Sequence, residues 1–227
     1  KIANFAISAF DDAVLKTSEV KGTPLVLVYQ QGRVGSTSVY EALSNGQNQF
    51  PVFHLHTLSI DRANSIIHER RLTKSRIDRN IFLAKKVAES IERRRSIRRN
   101  SAPHKLVVIF REPIGLMISL IFMHGEKNFL KDFDENDANN YEEALSLIKD
   151  RLEADDPSGW AVNRWLEEIL PAEIGIDPFC SDFDINEGFG IFRNKEFDLS
   201  LLKFERLDTS FNKSIGSLLH LDMEHIN

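Results

Sequence analysis

The sequence predicts an α/β protein: a parallel sheet flanked by helices, in a single domain spanning 1–227. Three observations predict it. Two near-continuous apolar runs, Leu25–Tyr29 and Lys105–Phe110, lack alternation and are strand-length, the pattern of strands buried on both faces. Segments of helical period separate them, as parallel strands require. The first run also leads through Gly32 and Gly35 into Ser36, Thr37 and Ser38, a glycine turn opening a helix.

In chain order, residues 1–23 form an amphipathic lead-in ending at Gly22, ahead of the first strand. After the glycine turn, Val39, Ala42 and Leu43 share a helical face, and Ser38 with Glu41 has capping-box spacing, so the helix starts at or just before Ser38. Asn45 and Gly46 stop it. Pro51–His56 is a second strand, and Asp61 caps a helix running to about Leu72. A longer helix carries Ile77, Ile81, Ala84, Ala88 and Ile91 on one stripe, until the segment Asn100–His104 breaks it. Beyond Lys105–Phe110, Pro113 suits a first helical turn, and Met117, Ile118 and Ile121 form that helix's core face. Helices are expected around Tyr141–Leu152 and Gly159–Leu170, the second bringing Trp160 and Trp165 to the core. Phe189–Phe192 and Asp198–Phe204 pair as a hairpin turning near Asn194, and Thr209–Leu221 closes the chain as a helix.

Composition narrows the class. The chain has 227 residues, 28% charged and 42% hydrophobic, ordinary for a globular protein and enough for a sizeable core. A net charge of −5 gives no reason to expect nucleic acid. The single cysteine, Cys180, excludes an internal disulfide and favours a reducing compartment, hence a cytoplasmic placement. No run is long enough to span a membrane and no signal peptide is visible, although a chain beginning at Lys1 leaves room for a removed targeting segment.

The stretch Pro24–Leu43 is built to hold a phosphate, since glycine lets backbone approach an anion and a helix N-terminus presents N–H groups to it. A nucleotide triphosphatase loop would need a lysine after Gly35, where Ser36 stands, and no clear metal-binding aspartate follows a strand. Arg33 instead precedes the second glycine. Arg111, at the tip of a buried strand, and Ser119, eight residues on, can converge on a second phosphate as forked and neutral donors.

Arg33–Ser38 and Arg111 with Ser119 have the spacings of the 5′-phosphosulfate loop and the 3′-phosphate motif of sulfotransferases. The chain therefore resembles sulfotransferases that use 3′-phosphoadenosine 5′-phosphosulfate (PAPS), on their P-loop-like fold. Phe204–Leu207 is similar to the Tyr-Glu-Asp-Leu segment of these enzymes, with arginine at 206, and Arg33 stands where many members carry lysine. His54 in Pro51–Leu58 resembles the catalytic histidine of heparan sulfate 2-O-sulfotransferases. Gly159–Phe179 resembles bacterial capsular polysaccharide synthesis proteins, themselves sulfotransferase-like.

The resemblance implies sulfuryl transfer from PAPS to a carbohydrate hydroxyl, with 3′,5′-adenosine bisphosphate as product and no metal. Arg33 would stabilise charge on the leaving phosphate, and Gly35, Ser36, Thr37 and Ser38 would bind the 5′-phosphate. Arg111 and Ser119 would bind the 3′-phosphate, with His54 as general base. His54 and His56 are expected on opposite faces of their strand, so that only one reaches the site. The arginines within Arg70–Arg99 would meet the acceptor if it is anionic, and are otherwise a solvated face. A nucleotide kinase or hydrolase of related fold, and a non-catalytic nucleotide- or glycan-binding protein, stand as alternatives.

Overall fold

The structure, a computed structural model, describes residues 2–30, 34–46, 50–73, 79–97, 101–124, 142, 145, 146, 149, 165–179 and 183–219. It is a mixed α/β protein with one five-stranded sheet. In chain order α1 (Ile2–Lys21), β1 (Val26–Tyr29), α2 (Ser36–Asn45) and β2 (Val52–Leu55) are followed by α3 (Ile60–Leu72) and α4 (Arg79–Ile97). Then come β3 (His104–Phe110), α5 (Pro113–His124), a π-helical turn (Trp165–Ile169) and α6 (Leu170–Ile174). β4 (Phe189–Arg193) and β5 (Phe197–Lys203) form a hairpin, and a 3₁₀ turn (Phe204–Arg206) leads into α7 (Leu207–Leu219).

The strand order is β2-β1-β3-β5-β4, parallel except for β4, which pairs antiparallel with β5 at the edge. Every position of β1 is buried, as an unalternated apolar run demands. Val26, Val28, Val107, Ile109 and Leu202 pack under α2, α5 and α7, through Val39, Leu43, Leu116, Ile215 and Leu218. Leu25, Leu27, Tyr29, Leu106, Val108 and Leu199 pack on the other face against α1, α4 and α6, where Trp165 sets its ring edge-on to Tyr29 at 5.1 Å. Large side chains such as Trp165 and Tyr29, fully buried, each contribute on the order of 2–3 kcal/mol by leaving water.

Sequence and structure differ at several element boundaries. The helix after the glycine turn starts at Ser36, capped by Gly35 in the left-handed region, so Ser38 lies within the first turn and the capping box is not used. Ser59, not Asp61, caps α3, its hydroxyl accepting from the Arg62 N–H. On α5 it is Leu116 that is buried, whereas Ile118 is exposed; the side chains of Met117 and Ile121 lie outside the described residues. The helix expected to end at Leu170 runs on to Ile174, where Gly175 stops it in a left-handed turn. Ile77, Trp160 and most of Tyr141–Leu152 lie outside the described residues, though Glu142, Leu145, Ser146 and Lys149 are helical.

The chain leaves β1 outward to β2 and returns to the far side of β1 as β3, so the connections after β1 and β3 part at a topological switch point. Ligands of open α/β sheets bind outside the carboxyl ends of the strands at such a point. Parallel pairing puts Gln30, His56, Arg111 and Phe204, the residues that end or follow β1, β2, β3 and β5, at that one edge.

Candidate functional site

The site begins where β1 ends. Gly35 has φ 74°, a conformation that side-chain-bearing residues adopt with strain. A Cβ there would also stand 2.9 Å from Cε2 of Phe204. Only glycine allows this packing. Gly35, as N-cap, has no side chain to offer the first turn of α2, whose N–H groups are in the arrangement that suits an anion. Thr37 and Ser38 are exposed on that turn, while Arg33 and Gly32 lie outside the described residues.

Ser36 is buried, and its hydroxyl lies 2.9 Å from Nε2 of His54. Gln30, 4% exposed, places its amide nitrogen 3.1 Å from the same ring nitrogen, while its Oε1 is buried without a hydrogen-bond partner. The donating amide makes Nε2 an acceptor, which puts the proton of a neutral ring on Nδ1. Tyr40 of α2 stacks on His54 at 5.7 Å. His54 thus ties β1, β2 and the start of α2 together.

The expectation that His54 and His56 face opposite sides is overturned. Their ring centroids are 5.4 Å apart. Strand side chains alternate with a period of two, so residues two apart share a face. His54 lies beside α2, and His56, half-buried, sits one step farther toward the carboxyl edge.

Arg111 reaches the same region from β3. Its guanidinium lies over the Phe204 ring, 4.5 Å from the centroid, a cation–π contact. The Phe204 ring is therefore shared by Gly35 and Arg111, and it joins the glycine turn to the end of β3. A Cβ on Gly115 would meet Arg111 Nε at 3.4 Å, so the arginine lies along the start of α5. Ser119 stands one turn beyond Gly115 on that face, half-buried. Glu205 accepts a hydrogen bond from the Glu112 N–H at 3.0 Å, which pins the β3–α5 connection to the 3₁₀ turn.

Several basic residues of α4 have partners on neighbouring elements. Arg93 pairs with Glu19 at 2.7 Å and Lys86 with Asp12 at 2.7 Å, joining α4 to α1, while Arg95 pairs with Glu196. Arg94 is 3% exposed and donates to the Thr23 carbonyl at 2.9 Å. These charges dock neighbouring elements.

Sequence reasoning missed Gln30, Tyr40 and Glu173. Gln30 carried a signal, an amide directly after an unbroken apolar strand. Glu173 carried none: a glutamate in a short helix looks solvated until Tyr29, Thr57 and the Leu58 N–H are seen to donate to its carboxylate. Among the described residues, no cluster of His, Cys, Asp or Glu could hold a metal ion, and no helix is long and apolar enough to cross a membrane.

A family model described as "Putative capsular polysaccharide synthesis protein" (NKWYS) matches residues 158–226, less than a third of the chain. The matched segment holds α6, the β4–β5 hairpin and α7, hence Glu173 and Phe204, but neither the glycine turn nor Arg111. The chain matches no curated protein and no solved structure.

Proposed function

We propose that the chain is a sulfotransferase of polysaccharide synthesis, moving the sulfuryl group of PAPS to a carbohydrate hydroxyl on a P-loop-like sulfotransferase fold. One observation carries the reading: the Phe204 ring packs against Gly35 and under Arg111, so two motifs far apart in sequence form one edge. The match to a capsular polysaccharide family supports the glycan half of the reading.

In this mechanism the 5′-phosphate binds the first turn of α2, through its N–H groups and the exposed Thr37 and Ser38 hydroxyls. Arg33 holds the bridging oxygen as a fixed positive charge. Arg111, preorganised on Phe204, and Ser119 bind the 3′-phosphate, which separates this donor from AMP and ATP. The acceptor oxygen attacks sulfur, the bond from sulfur to the 5′-phosphate oxygen breaks, and a histidine takes the acceptor's proton. The Ser36 hydroxyl is directed at His54, so His54 serves as anchor of the loop. His56, nearer the edge, takes the role of base.

Calorimetry tests the donor site. 3′,5′-Adenosine bisphosphate is expected to bind without magnesium and more tightly than AMP. Arg111→Ala should remove a charge-assisted hydrogen bond worth about 1.5–3 kcal/mol, roughly tenfold or more in affinity for the bisphosphate and little for AMP. Equal affinity for the two nucleotides would refute the assignment.

A further inference from the structure

On the face of the sheet opposite α2, a cavity of about 930 Å³ opens between the start of α3, the second half of α4, and the π turn with α6. Neither the glycine turn nor Arg111 lines it, so it is distinct from the phosphate edge. Its size is that of a small-molecule site. Leu58, Ile60 and Ile169, each partly exposed, give it apolar surface.

Its polar groups are held in place by the fold. Glu173, with a side chain 7% exposed, accepts from the Tyr29 hydroxyl at 2.6 Å, the Thr57 hydroxyl at 3.0 Å and the Leu58 N–H at 2.7 Å. Burial, then the Glu173 charge and hydrogen bond, push the Tyr29 hydroxyl well above its usual pKa, so it stays a donor. Arg62 Nη1 stops 3.9 Å from Glu173 Oε1, and that nitrogen is buried without a hydrogen-bond partner. The interval is too long for a hydrogen bond and suits a bridging oxygen. A hydroxyl placed between them can accept from Arg62 and donate to Glu173.

Charge narrows the ligand. Asp61, Glu92, Glu168 and Glu173 line the cavity against Arg62 and Arg95, and Arg95 is already paired with Glu196. An anionic chain would meet an excess of carboxylates. Neutral or amino-bearing sugars would meet hydroxyl acceptors and an apolar floor. The family-matched segment supplies Glu168, Ile169, Glu173 and Phe197 of this lining.

We propose that this cavity binds a neutral or amino-bearing oligosaccharide, its hydroxyls bridging Arg62 and Glu173 and its ring faces resting on Leu58, Ile60 and Ile169. This rests on the glycan half of the proposed function and not on sulfuryl transfer. Leu58, in the cavity wall, follows His56 by two residues, so a chain bound here can extend toward the carboxyl edge.

Saturation-transfer NMR and calorimetry would use chitotetraose and maltotetraose, the de-N-acetylated amino form of the first, and an anionic heparin tetrasaccharide. At least one neutral or amino probe should bind, and the heparin fragment more weakly. Ala172→Trp, at an exposed position of α6 that lines the cavity, should weaken that binding roughly tenfold or more, with an unchanged amide spectrum outside the cavity and unchanged affinity for 3′,5′-adenosine bisphosphate. Arg62→Ala should weaken it as well, with less bulk introduced. Failure of every neutral and amino probe, an indifferent Ala172→Trp variant, or preference for the heparin fragment overturns the proposal. Bisphosphate binding without saccharide binding would leave the donor reading standing and remove this one. The converse would do the opposite.

Discussion

Histidines at the two edges of the sheet, His104 and His54, are held in different ways. At the amino edge, His104 opens β3 and accepts the Leu25 N–H on Nδ1 at 3.1 Å. Beside it Lys105 and Asp198 form an ion pair at 2.5 Å, both nearly buried. Those polar groups bind neighbouring strands to one another. At the carboxyl edge, His54 holds a loop whose helix start has no side-chain cap, beside a buried Gln30 oxygen without a partner and an arginine resting on a ring. Residue type alone does not separate the two histidines; their place does, since ligands of open α/β sheets bind outside the carboxyl ends of the strands.

The largest effect that would sharpen the contrast lies at the carboxyl edge. His56→Ala is expected to lower turnover with a sulfatable glycan by roughly 10²–10⁴-fold and leave donor affinity nearly unchanged. His54→Ala should weaken the bisphosphate as well, because it removes the anchor of Ser36 and Gln30. Turnover and calorimetry on both variants decide the roles. A His54→Ala variant with intact donor binding and no turnover would make His54 the base.

At the amino edge the expected effect is on stability. Burial first, then the charges of Arg94 and Arg95, lower the His104 pKa from 6.5 to about 3. The unfolded chain therefore binds this proton between pH 6.5 and 3 while the folded chain does not, so the neutral ring's contribution is complete above 6.5 and is lost as pH falls. Between pH 7 and 4 that loss is about 3 kcal/mol. Denaturant unfolding should show it, and His104→Asn, which keeps an acceptor for the Leu25 N–H, should flatten the slope by about that amount. An unchanged slope would mean that His104 does not titrate as a buried group.

The same contrast explains what could be read from the sequence. Unalternated strands such as Leu25–Tyr29 declare themselves because burial on both faces leaves only apolar residues, and β1 and β3 could be read from that pattern. The glycine turn was legible for a related reason, since the left-handed Gly35 against Phe204 tolerates no other residue. Contacts across long separations were not legible. Glu173 meets Thr57 across 116 positions, and nothing local marks a glutamate as buried. His54 and His56 differ again: their shared face follows from the strand period itself, since a spacing of two returns to the same side. The arginines of α4 were ambiguous because their partners, Glu19 and Glu196, lie far away in sequence.

Those arginines support the smallest prediction, on a region belonging to neither edge. Arg93 is half-exposed and holds Glu19 of α1 through Nε at 3.2 Å and Nη2 at 2.7 Å. Burial raises the Glu19 carboxyl pKa, but hydrogen bonds from Arg93 and Ser90 and the charges of Arg93 and Arg94 outweigh it, leaving the group below its ordinary value. Because water screens a half-exposed pair, Arg93→Glu should cost no more than about 1 kcal/mol, as a shift in unfolding midpoint that shrinks with added salt. The charge swap Arg93→Glu with Glu19→Arg should recover most of it, since the attraction between α4 and α1 is restored with its sign reversed. A surface that served an anionic glycan would behave differently: the swap would restore stability and leave glycan binding impaired. Unfolding curves and saccharide titration on the single and double variants separate these outcomes, and full recovery of both would confine the basic stripe of α4 to holding α1.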